Sequence, residues 1–176
     1  MKNKNDRILR VVFIPVFTAL TAVGAQISIP IGNVPITLQM LFVFLAGFML
    51  KPYDALISML LYLTLGGAGL PVFANFSGGA QHLVGPTAGY LWAFPISAFV
   101  IGFLKKNNQF LAGIVGLLIV YLLGWAWLGI SINNFTKAFI VGVLPFVPID
   151  LIKMFIALYV WKKSEKIIGG IVNEET

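Results

Sequence analysis

The chain is divided into six apolar runs by short groups of charged and turn-forming residues, and this division restricts its fold more than any other feature. The runs cover residues 8–29, 37–50, 54–65, 87–104, 110–132 and 148–161. A helix needs about 20 apolar residues to cross a bilayer. The second, third and sixth runs are shorter than this, so their limits are approximate. The pattern predicts an all-α bundle of six transmembrane helices.

The composition supports a membrane protein with one domain. Only 10% of the residues are charged and 59% are hydrophobic, whereas about 25% of the residues of an ordinary soluble domain are charged. Six spanning helices and their connections use the whole length, so residues 1–176 are predicted to form a single membrane domain. The chain has no cysteine, which excludes disulfides and thiolate metal sites.

The basic residues predict the orientation of the bundle. If the N-terminus is cytoplasmic, ten of the twelve basic residues lie on the cytoplasmic side: Lys2, Lys4, Arg7, Arg10, Lys51, Lys105, Lys106, Lys162, Lys163 and Lys166. Only Lys137 and Lys153 lie elsewhere. This bias follows the positive-inside rule and predicts a multi-pass protein of the cell membrane with both termini cytoplasmic. It accounts for the net charge of +6 without a basic face for nucleic acid.

One alternative concerns the first apolar run. A basic leader, an apolar stretch and the small residues TAVGA also match a cleaved signal peptide. Removal of this segment would leave five spans and reverse the charge bias. The intact six-helix arrangement is the main prediction.

Two segments between the predicted helices are irregular and free of charge. Residues 66–91 and 27–39 are rich in Gly, Pro or apolar side chains and contain no Lys, Arg, Asp or Glu. Irregular backbone at membrane depth is tolerated where protein covers it or where it lines a cavity. We therefore predict extracytoplasmic loops that cap a ligand pocket, with Phe73, Phe76, Tyr90 and Trp92 as apolar walls. Tyr90 and Trp92 are also compatible with an aromatic belt at the membrane interface.

Two opposite charges lie within the last apolar run. Asp150 and Lys153 are three residues apart and so share one face of a helix. A charged residue at the centre of a spanning helix costs about 2.5–3.5 kcal/mol on insertion scales, so such residues usually have a function or a partner. Two interpretations remain open: an internal ion pair, or a ligand site in which Lys153 binds an anion and Asp150 accepts N–H groups.

An enzyme is disfavoured by the arrangement of the reactive residues. Ser77 and His82 lie on one flexible loop, and NFSGG does not match the G-x-S-x-G elbow of a serine nucleophile. The sequence has no cluster of metal-ligating residues and no phosphate-binding G-x-x-x-x-G-K-[ST] motif. We expect no metal and no cofactor, and energy for any transport must come from a partner or a gradient.

Four motifs together resemble one family. GGAGLPVFANFSGG, LVGPTAGYLWAFP, VPITLQ and PFVPIDLIK, at residues 66–79, 83–95, 34–39 and 145–153, resemble the BioY family in content and order. The members of that family are biotin-binding S components of energy-coupling-factor (ECF) vitamin transporters. The resemblance implies a prokaryotic six-helix protein that binds biotin from outside. It also implies docking on a transmembrane coupling protein driven by two ATP-binding-cassette ATPases.

The resemblance and the chemistry of biotin suggest the binding residues. Asp150 and Asn75 are assigned to the ureido group and Lys153 to the carboxylate. The full set of predicted ligand contacts is Asp150, Lys153, Asn75, Phe73, Gln81, Tyr90, Gln39 and Trp92. The alternative function is a stand-alone secondary transporter or channel for a small vitamin that bears a carboxylate.

The first helix carries a predicted docking surface. In FTALTAVGA, small residues recur at three- and four-residue spacing, and such strips allow membrane helices to approach closely. The predicted docking residues are Thr18, Ala19 and Ala22, since the chain has no ATP site of its own and S components of this family resemble one another in docking through small residues of helix one. The alternative is that the strip packs inside the bundle.

Overall fold

The structure, a computed structural model, describes residues 4–30 and 34–174, with side chains described for residues 11–30 and 34–165. Helix α1 (Lys4–Gln26) leads into a short hairpin of β1 (Ser28–Ile29) and β2 (Ile36–Thr37). Further helices follow: α2 (Gln39–Met49), α3 (Pro52–Gly67), α4 (Ala88–Leu104), α5 (Gln109–Ser131), α6 (Phe135–Gly142) and α7 (Val147–Glu174). The α3–α4 loop contains two short 3-10 helices, Ala74–Phe76 and Ala80–Leu83.

Six of these helices correspond to the six predicted runs, and the mostly helical fold is confirmed. Three details differ from the prediction. The first run ends early because residues 28–29 pair with residues 36–37 in an antiparallel hairpin. An additional helix, α6, begins after Asn134, whose side chain accepts a hydrogen bond from the Lys137 backbone N–H at 2.8 Å. Helix α7 continues beyond residue 161 to Glu174. The predicted run stopped at Trp161 because the charged residues Lys162 and Lys163 follow it, and these residues interrupt an apolar run without ending the helix.

Five of the ten basic residues predicted to be cytoplasmic lie wholly or by their side chains outside what the structure describes. Lys2 lies outside the described residues, and the side chains of Lys4, Arg7, Arg10 and Lys166 lie outside the described side chains.

Small residues allow α4 and α5 to pack closely along their length. A methyl group on Gly116 would collide with the side chain of Ile101, and one on Gly89 would collide with the backbone of Leu123. The hydroxyl of Ser97 donates to the Gly116 carbonyl at 2.9 Å. Close backbone approach of this kind is typical of helix pairs in membranes, where packing rather than the hydrophobic effect holds helices together.

The outer surface of the bundle is strongly apolar. Large hydrophobic side chains such as Val12, Leu118, Ile130 and Phe155 are each more than half exposed, an arrangement that water disfavours and lipid accepts. Among the described helices, α5 alone is long and apolar enough to cross a membrane unaided, with a mean hydropathy of 2.2. Helix α6 and residues 147–165 of α7 pass the same test as one bent unit, with a 47° angle between them.

Lys105 closes the end of α2 that is remote from the hairpin. Its Nζ donates to the carbonyl oxygens of Gly47, Phe48 and Leu50 at 3.2, 2.7 and 2.6 Å. The last carbonyls of a helix have no partner within the helix, so this lysine satisfies them from the end of α4. Burial lowers the pKa of Lys105 to about 8.

Candidate ligand-binding site

A cavity of about 340 Å³ opens between the hairpin, the α3–α4 loop and the adjoining ends of the helices. This volume lies within the usual range for small-molecule sites, about 300–1,000 Å³. Its walls combine aromatic and aliphatic side chains with a few polar groups, and they are formed by Val34, Pro35, Thr37, Gln39, Met40, Phe73, Ala74, Asn75, Ser77, His82, Thr87, Tyr90, Leu91, Phe94, Val120, Tyr121, Phe146, Asp150 and Lys153.

The two charges of α7 form an ion pair in the wall of this cavity. Lys153 Nζ lies 2.6 Å from Asp150 Oδ1, and each residue is 5% exposed. The second Asp150 oxygen, Oδ2, accepts a hydrogen bond from the Tyr121 hydroxyl at 2.9 Å. Lys153 also donates to the Thr37 carbonyl at 2.7 Å. The internal ion pair is therefore present, and both of its members also line the cavity.

This pairing restricts how one ligand can use the two charges. Because Asp150 and Lys153 touch, they lie at the same end of the cavity. The assignment of Asp150 to one end of the ligand and Lys153 to the other does not fit this geometry. A neighbouring acceptor and donor suit a ligand group that has an N–H beside a C=O.

A chain of hydrogen bonds connects the hairpin to the α3–α4 loop beside the cavity. The Thr37 hydroxyl donates to Gln39 Oε1 at 2.8 Å, and Gln39 Nε2 donates to the Tyr62 hydroxyl at 2.6 Å. That hydroxyl in turn donates to the Val72 carbonyl at 3.1 Å. Gln39 thus has a structural task in addition to its place in the cavity wall.

Phe73 is held in the wall by aromatic packing and by a glycine. Its ring lies edge-on to Tyr62 with centroids 5.5 Å apart, and it contacts the His82 ring at 5.6 Å. The ring also covers Gly66 so closely that a methyl group there would overlap it. Phe73 is 2% exposed, so its position is set by the fold before any ligand binds.

Tyr90 is fixed from two other helices. Its hydroxyl donates to the Gly142 carbonyl at 2.8 Å, and its ring packs over Gly124, where a side chain would overlap it. Tyr90 is a cavity residue, and the interfacial belt is not its environment.

Asn75 lies in the α3–α4 loop in a left-handed backbone conformation, with φ at 60°. It is exposed and lines the cavity. Its Oδ1 accepts a hydrogen bond from the Ser28 hydroxyl at 2.6 Å. The amide nitrogen of Asn75 is the polar atom that this bond leaves available.

The structure brings six of the eight predicted contacts into the cavity wall and leaves two outside it. Gln81 is exposed and donates to the Gly78 carbonyl at 2.7 Å. Trp92 is 45% exposed and its indole donates to the Leu83 carbonyl at 3.0 Å. Since residues two apart point to different sides of a helix, Trp92 cannot share the cavity face of Tyr90. The six in the wall are Asp150, Lys153, Asn75, Phe73, Tyr90 and Gln39.

Several polar residues that support the site were not predicted from the sequence. The Tyr121 hydroxyl donates to Asp150, the Thr37 backbone carbonyl accepts from Lys153, and the Ser28 hydroxyl donates to Asn75. Tyr121 was detectable as a hydroxyl-bearing residue in an otherwise apolar helix. Ser28 had no comparable signal because hydroxyl residues are common in loops, and the contact of Thr37 had none because every residue has a backbone carbonyl.

The predicted docking strip of α1 divides between two faces. Thr18 is 4% exposed, and its hydroxyl donates to the Ser58 carbonyl of α3 at 2.8 Å. Ala22 is half-buried, and Ala19 is exposed. Of the three predicted docking residues, Thr18 packs inside the bundle and Ala19 is accessible to a partner.

Ser77 and His82 have separate structural contacts. The Ser77 hydroxyl donates to the Ala74 carbonyl at 2.7 Å, and the His82 ring packs on Phe73. These contacts provide packing and turn formation rather than a nucleophile bonded to a base.

Comparison with known proteins identifies relatives along almost the whole chain. The sequence profile of the BioY family matches residues 1–170. A probable biotin transporter BioY of Pyrococcus horikoshii is 49% identical over 152 residues, which cover 86% of this chain and 93% of that protein. The biotin transporter BioY of Thermotoga maritima is 47% identical over 157 residues, again 86% and 93% of the two chains.

A solved structure has the same architecture. The crystal structure of the S-component for biotin from an ECF-type ABC transporter matches with a TM-score of 0.85 and 31% identity, over 94% of this chain and 95% of that chain.

The fold and the cavity define a helical membrane protein of the S-component type, with a ligand-sized cavity beneath a hairpin and a loop. The chain belongs to the BioY family, which confirms the resemblance seen in its motifs. This membership also confirms the prediction that the chain is not an enzyme.

Proposed function

We propose that this chain binds biotin in the cavity and serves as the substrate-specificity subunit of an ATP-driven ECF transporter. The observation that carries the proposal is the Asp150–Lys153 pair in the wall of a ligand-sized cavity, in a chain whose relatives are named biotin transporters. In this proposal its partners are a transmembrane coupling protein and two ATP-binding-cassette ATPases. These partners supply the energy, because the sequence has no phosphate-binding motif of its own.

The ureido group of biotin fits the ion pair best. It presents N–H donors directly beside a carbonyl acceptor, which match the Asp150 carboxylate and the third N–H of Lys153. The pair is neutral as a whole, so it does not attract an anion strongly. The ligand's carboxylate then lies toward the loop side, where the amide N–H of Asn75 is an available donor. Phe73 and Tyr90 contact the apolar ring and chain.

The proposed topology has six passes, formed by α1, α2, α3, α4, α5 and α7, with both termini cytoplasmic in the cell membrane of a prokaryote. Helix α2 has 11 residues and is therefore about 16 Å long, about half of the apolar thickness of a bilayer. The hairpin completes this pass, and its Val34, Pro35 and Thr37 line the cavity, which is where irregular backbone at membrane depth is tolerated. The hairpin and the α3–α4 loop form an extracytoplasmic lid.

A binding assay on the purified protein tests the proposal. Titration with biotin, followed by calorimetry or by intrinsic tryptophan fluorescence, should give saturable one-to-one binding, and an unrelated vitamin should give none. Biotin amide should bind more weakly than biotin because it lacks the carboxylate. Failure to bind biotin would refute the proposal, and accumulation of biotin by vesicles that contain this chain alone would favour a self-sufficient transporter.

A further inference from the structure

The turn that carries Asn75 has an unfavourable backbone conformation. Asn75 and Phe76 are consecutive residues with positive φ, at 60° and 54°. Asparagine tolerates this region, but phenylalanine rarely adopts it. Phe76 is 73% exposed, so packing of its ring does not hold the turn. Residues in such conformations persist where surrounding contacts hold them, and they often occur at ligand sites.

Gln26, the last residue of α1, supplies the contacts that hold this turn. Its Oε1 accepts a hydrogen bond from the Phe76 backbone N–H at 2.8 Å. Its Nε2 donates to the Phe73 carbonyl at 3.2 Å and to the Ala22 carbonyl of its own helix at 3.1 Å. The same side chain therefore binds the backbone on both sides of Asn75 and fastens it to the end of α1.

Ser28 then sets the orientation of the Asn75 side chain. The serine hydroxyl donates to Asn75 Oδ1, so the carbonyl side of the amide is occupied and the N–H side remains for a ligand. Neither Gln26 nor Ser28 is among the residues that line the cavity. Gln26 therefore acts on the site through the turn, in which both Phe73 and Asn75 line the cavity, and Ser28 acts on it through Asn75.

We propose that Gln26 and Ser28 are positioning residues that hold Asn75 as a hydrogen-bond donor to an acceptor oxygen of the ligand. This inference rests on the proposed function, namely that the cavity binds biotin. The end of α1 then belongs to the binding site although it does not contact the ligand. Asn75 selects ligands that present a hydrogen-bond acceptor to its N–H.

A double-mutant cycle on the full-length purified protein tests this role. Gln26→Ala should weaken biotin binding about tenfold or more because the turn loses the two hydrogen bonds that Gln26 makes with the Phe76 N–H and the Phe73 carbonyl. In a chain that already carries Asn75→Ala, the same change should cost less than about twofold, since residues that act through one another are not additive. Gln26→Met keeps the length of the side chain without its hydrogen bonds and should behave like Gln26→Ala. It replaces the alanine variant in the cycle if that variant does not fold.

Two further variants test the orientation of the amide. Ser28→Ala should weaken binding about threefold to tenfold, the effect of one hydrogen bond. Asn75→Asp keeps the acceptor for Ser28 but removes the N–H donor, so it should weaken binding at least as much as Asn75→Ala. The matched control is Gln109→Ala at the opposite end of the bundle, where α5 begins, and it should bind biotin like the unaltered protein.

The possible results separate the inference from the proposed function. If the unaltered protein does not bind biotin, the proposed function fails. If it binds biotin and Asn75→Ala weakens binding, the inference is overturned when Gln26→Met binds normally. It is also overturned when Gln26→Met loses affinity equally with and without Asn75→Ala, because Gln26 would then act through general stability.

Discussion

At the scale of single residues, the Asp150–Lys153 pair combines a structural task with a binding task. Both residues are almost completely buried and are bonded to each other. Tyr121 and Thr37 then occupy the second oxygen of Asp150 and a second N–H of Lys153. A buried charge is tolerated when its partners satisfy it, and here the partners come from α5 and from the hairpin. The pair therefore helps to connect three parts of the bundle around the cavity.

Removal of either charge should weaken biotin binding strongly. Lys153→Ala leaves Asp150 as a buried carboxylate without its counter-ion, and Asp150→Asn does the converse. Truncation of one member of a buried pair typically costs 2–5 kcal/mol or more, so we expect affinity losses of about 30-fold upward. Calorimetric titration of the purified variants measures this loss, and a thermal melt of each variant shows whether it remains folded.

The same variants show which end of biotin meets the pair. If the ureido group does, Lys153→Ala should still distinguish biotin from biotin amide by the same factor as the unaltered protein. Loss of that discrimination would place the carboxylate at Lys153 instead. A purely structural pair would give variants with lower melting temperatures whose folded fraction binds biotin normally.

At the scale of elements, α1 has two faces with different environments. Thr18 and Thr21 are buried, and Thr18 bonds the backbone of α3. On the other side, Val16 and Val23 are 41% and 57% exposed, and Ala19 lies exposed between them. A small residue between larger apolar ones leaves a depression that a helix of a partner can enter.

A large side chain at Ala19 should block energised uptake without affecting ligand binding. Ala19→Trp fills the depression on the outer face of α1, whereas none of residues 11–26, the part of this helix whose side chains are described, lines the cavity. In cells that express the ECF module, uptake of labelled biotin should fall to background, and the purified variant should bind biotin normally. Ala19 is the cleaner position, because Ala22 is half-buried.

Two controls accompany the Ala19 variant. Leu122→Trp introduces the same side chain on α5 at a position that is 58% exposed, and it should leave uptake unchanged. Thr18→Trp should reduce expression and stability because the residue is buried. If Ala19→Trp lost biotin binding and expression together, this face of α1 would belong to the core and docking would take place elsewhere.

At the scale of the whole molecule, the distribution of basic residues and the position of the α3–α4 loop predict how the bundle is oriented in the membrane. Gln81 belongs to the α3–α4 loop, and Lys106 follows the other end of α4; both are exposed. Helix α4 has 17 residues and is about 25 Å long, so the two positions lie at opposite ends of the bundle.

Single cysteines at these two positions should differ in their accessibility. The chain has no native cysteine, so Gln81→Cys and Lys106→Cys each provide a unique thiol. An impermeant thiol reagent applied to intact cells should label Gln81→Cys and not Lys106→Cys, and permeabilised cells should label both. The reverse pattern in intact cells would show that the orientation is inverted.

The sequence by itself determined those features that depend on neighbouring residues. Helices α4 and α5 follow from local runs of apolar residues, and the shared face of Asp150 and Lys153 follows from their spacing of three. The separation of Tyr90 from Trp92 was also available from helical periodicity. Helix α6 was not predicted because its eight residues are too few for a spanning run. The end of α7 was not predicted because Lys162 and Lys163 interrupt the apolar run before the helix ends.

Only the tertiary structure decided which distant groups meet. Tyr121 bonds Asp150 across 29 positions of the chain, and Gln26 bonds Phe76 across 50. No local pattern encodes such pairs, because each depends on how two helices or a helix and a loop are placed by all their other contacts. The sequence therefore determined which segments form helices and that Asp150 and Lys153 are neighbours, while packing decided that Tyr121 and Thr37 meet this pair and that α1 holds Asn75 in position.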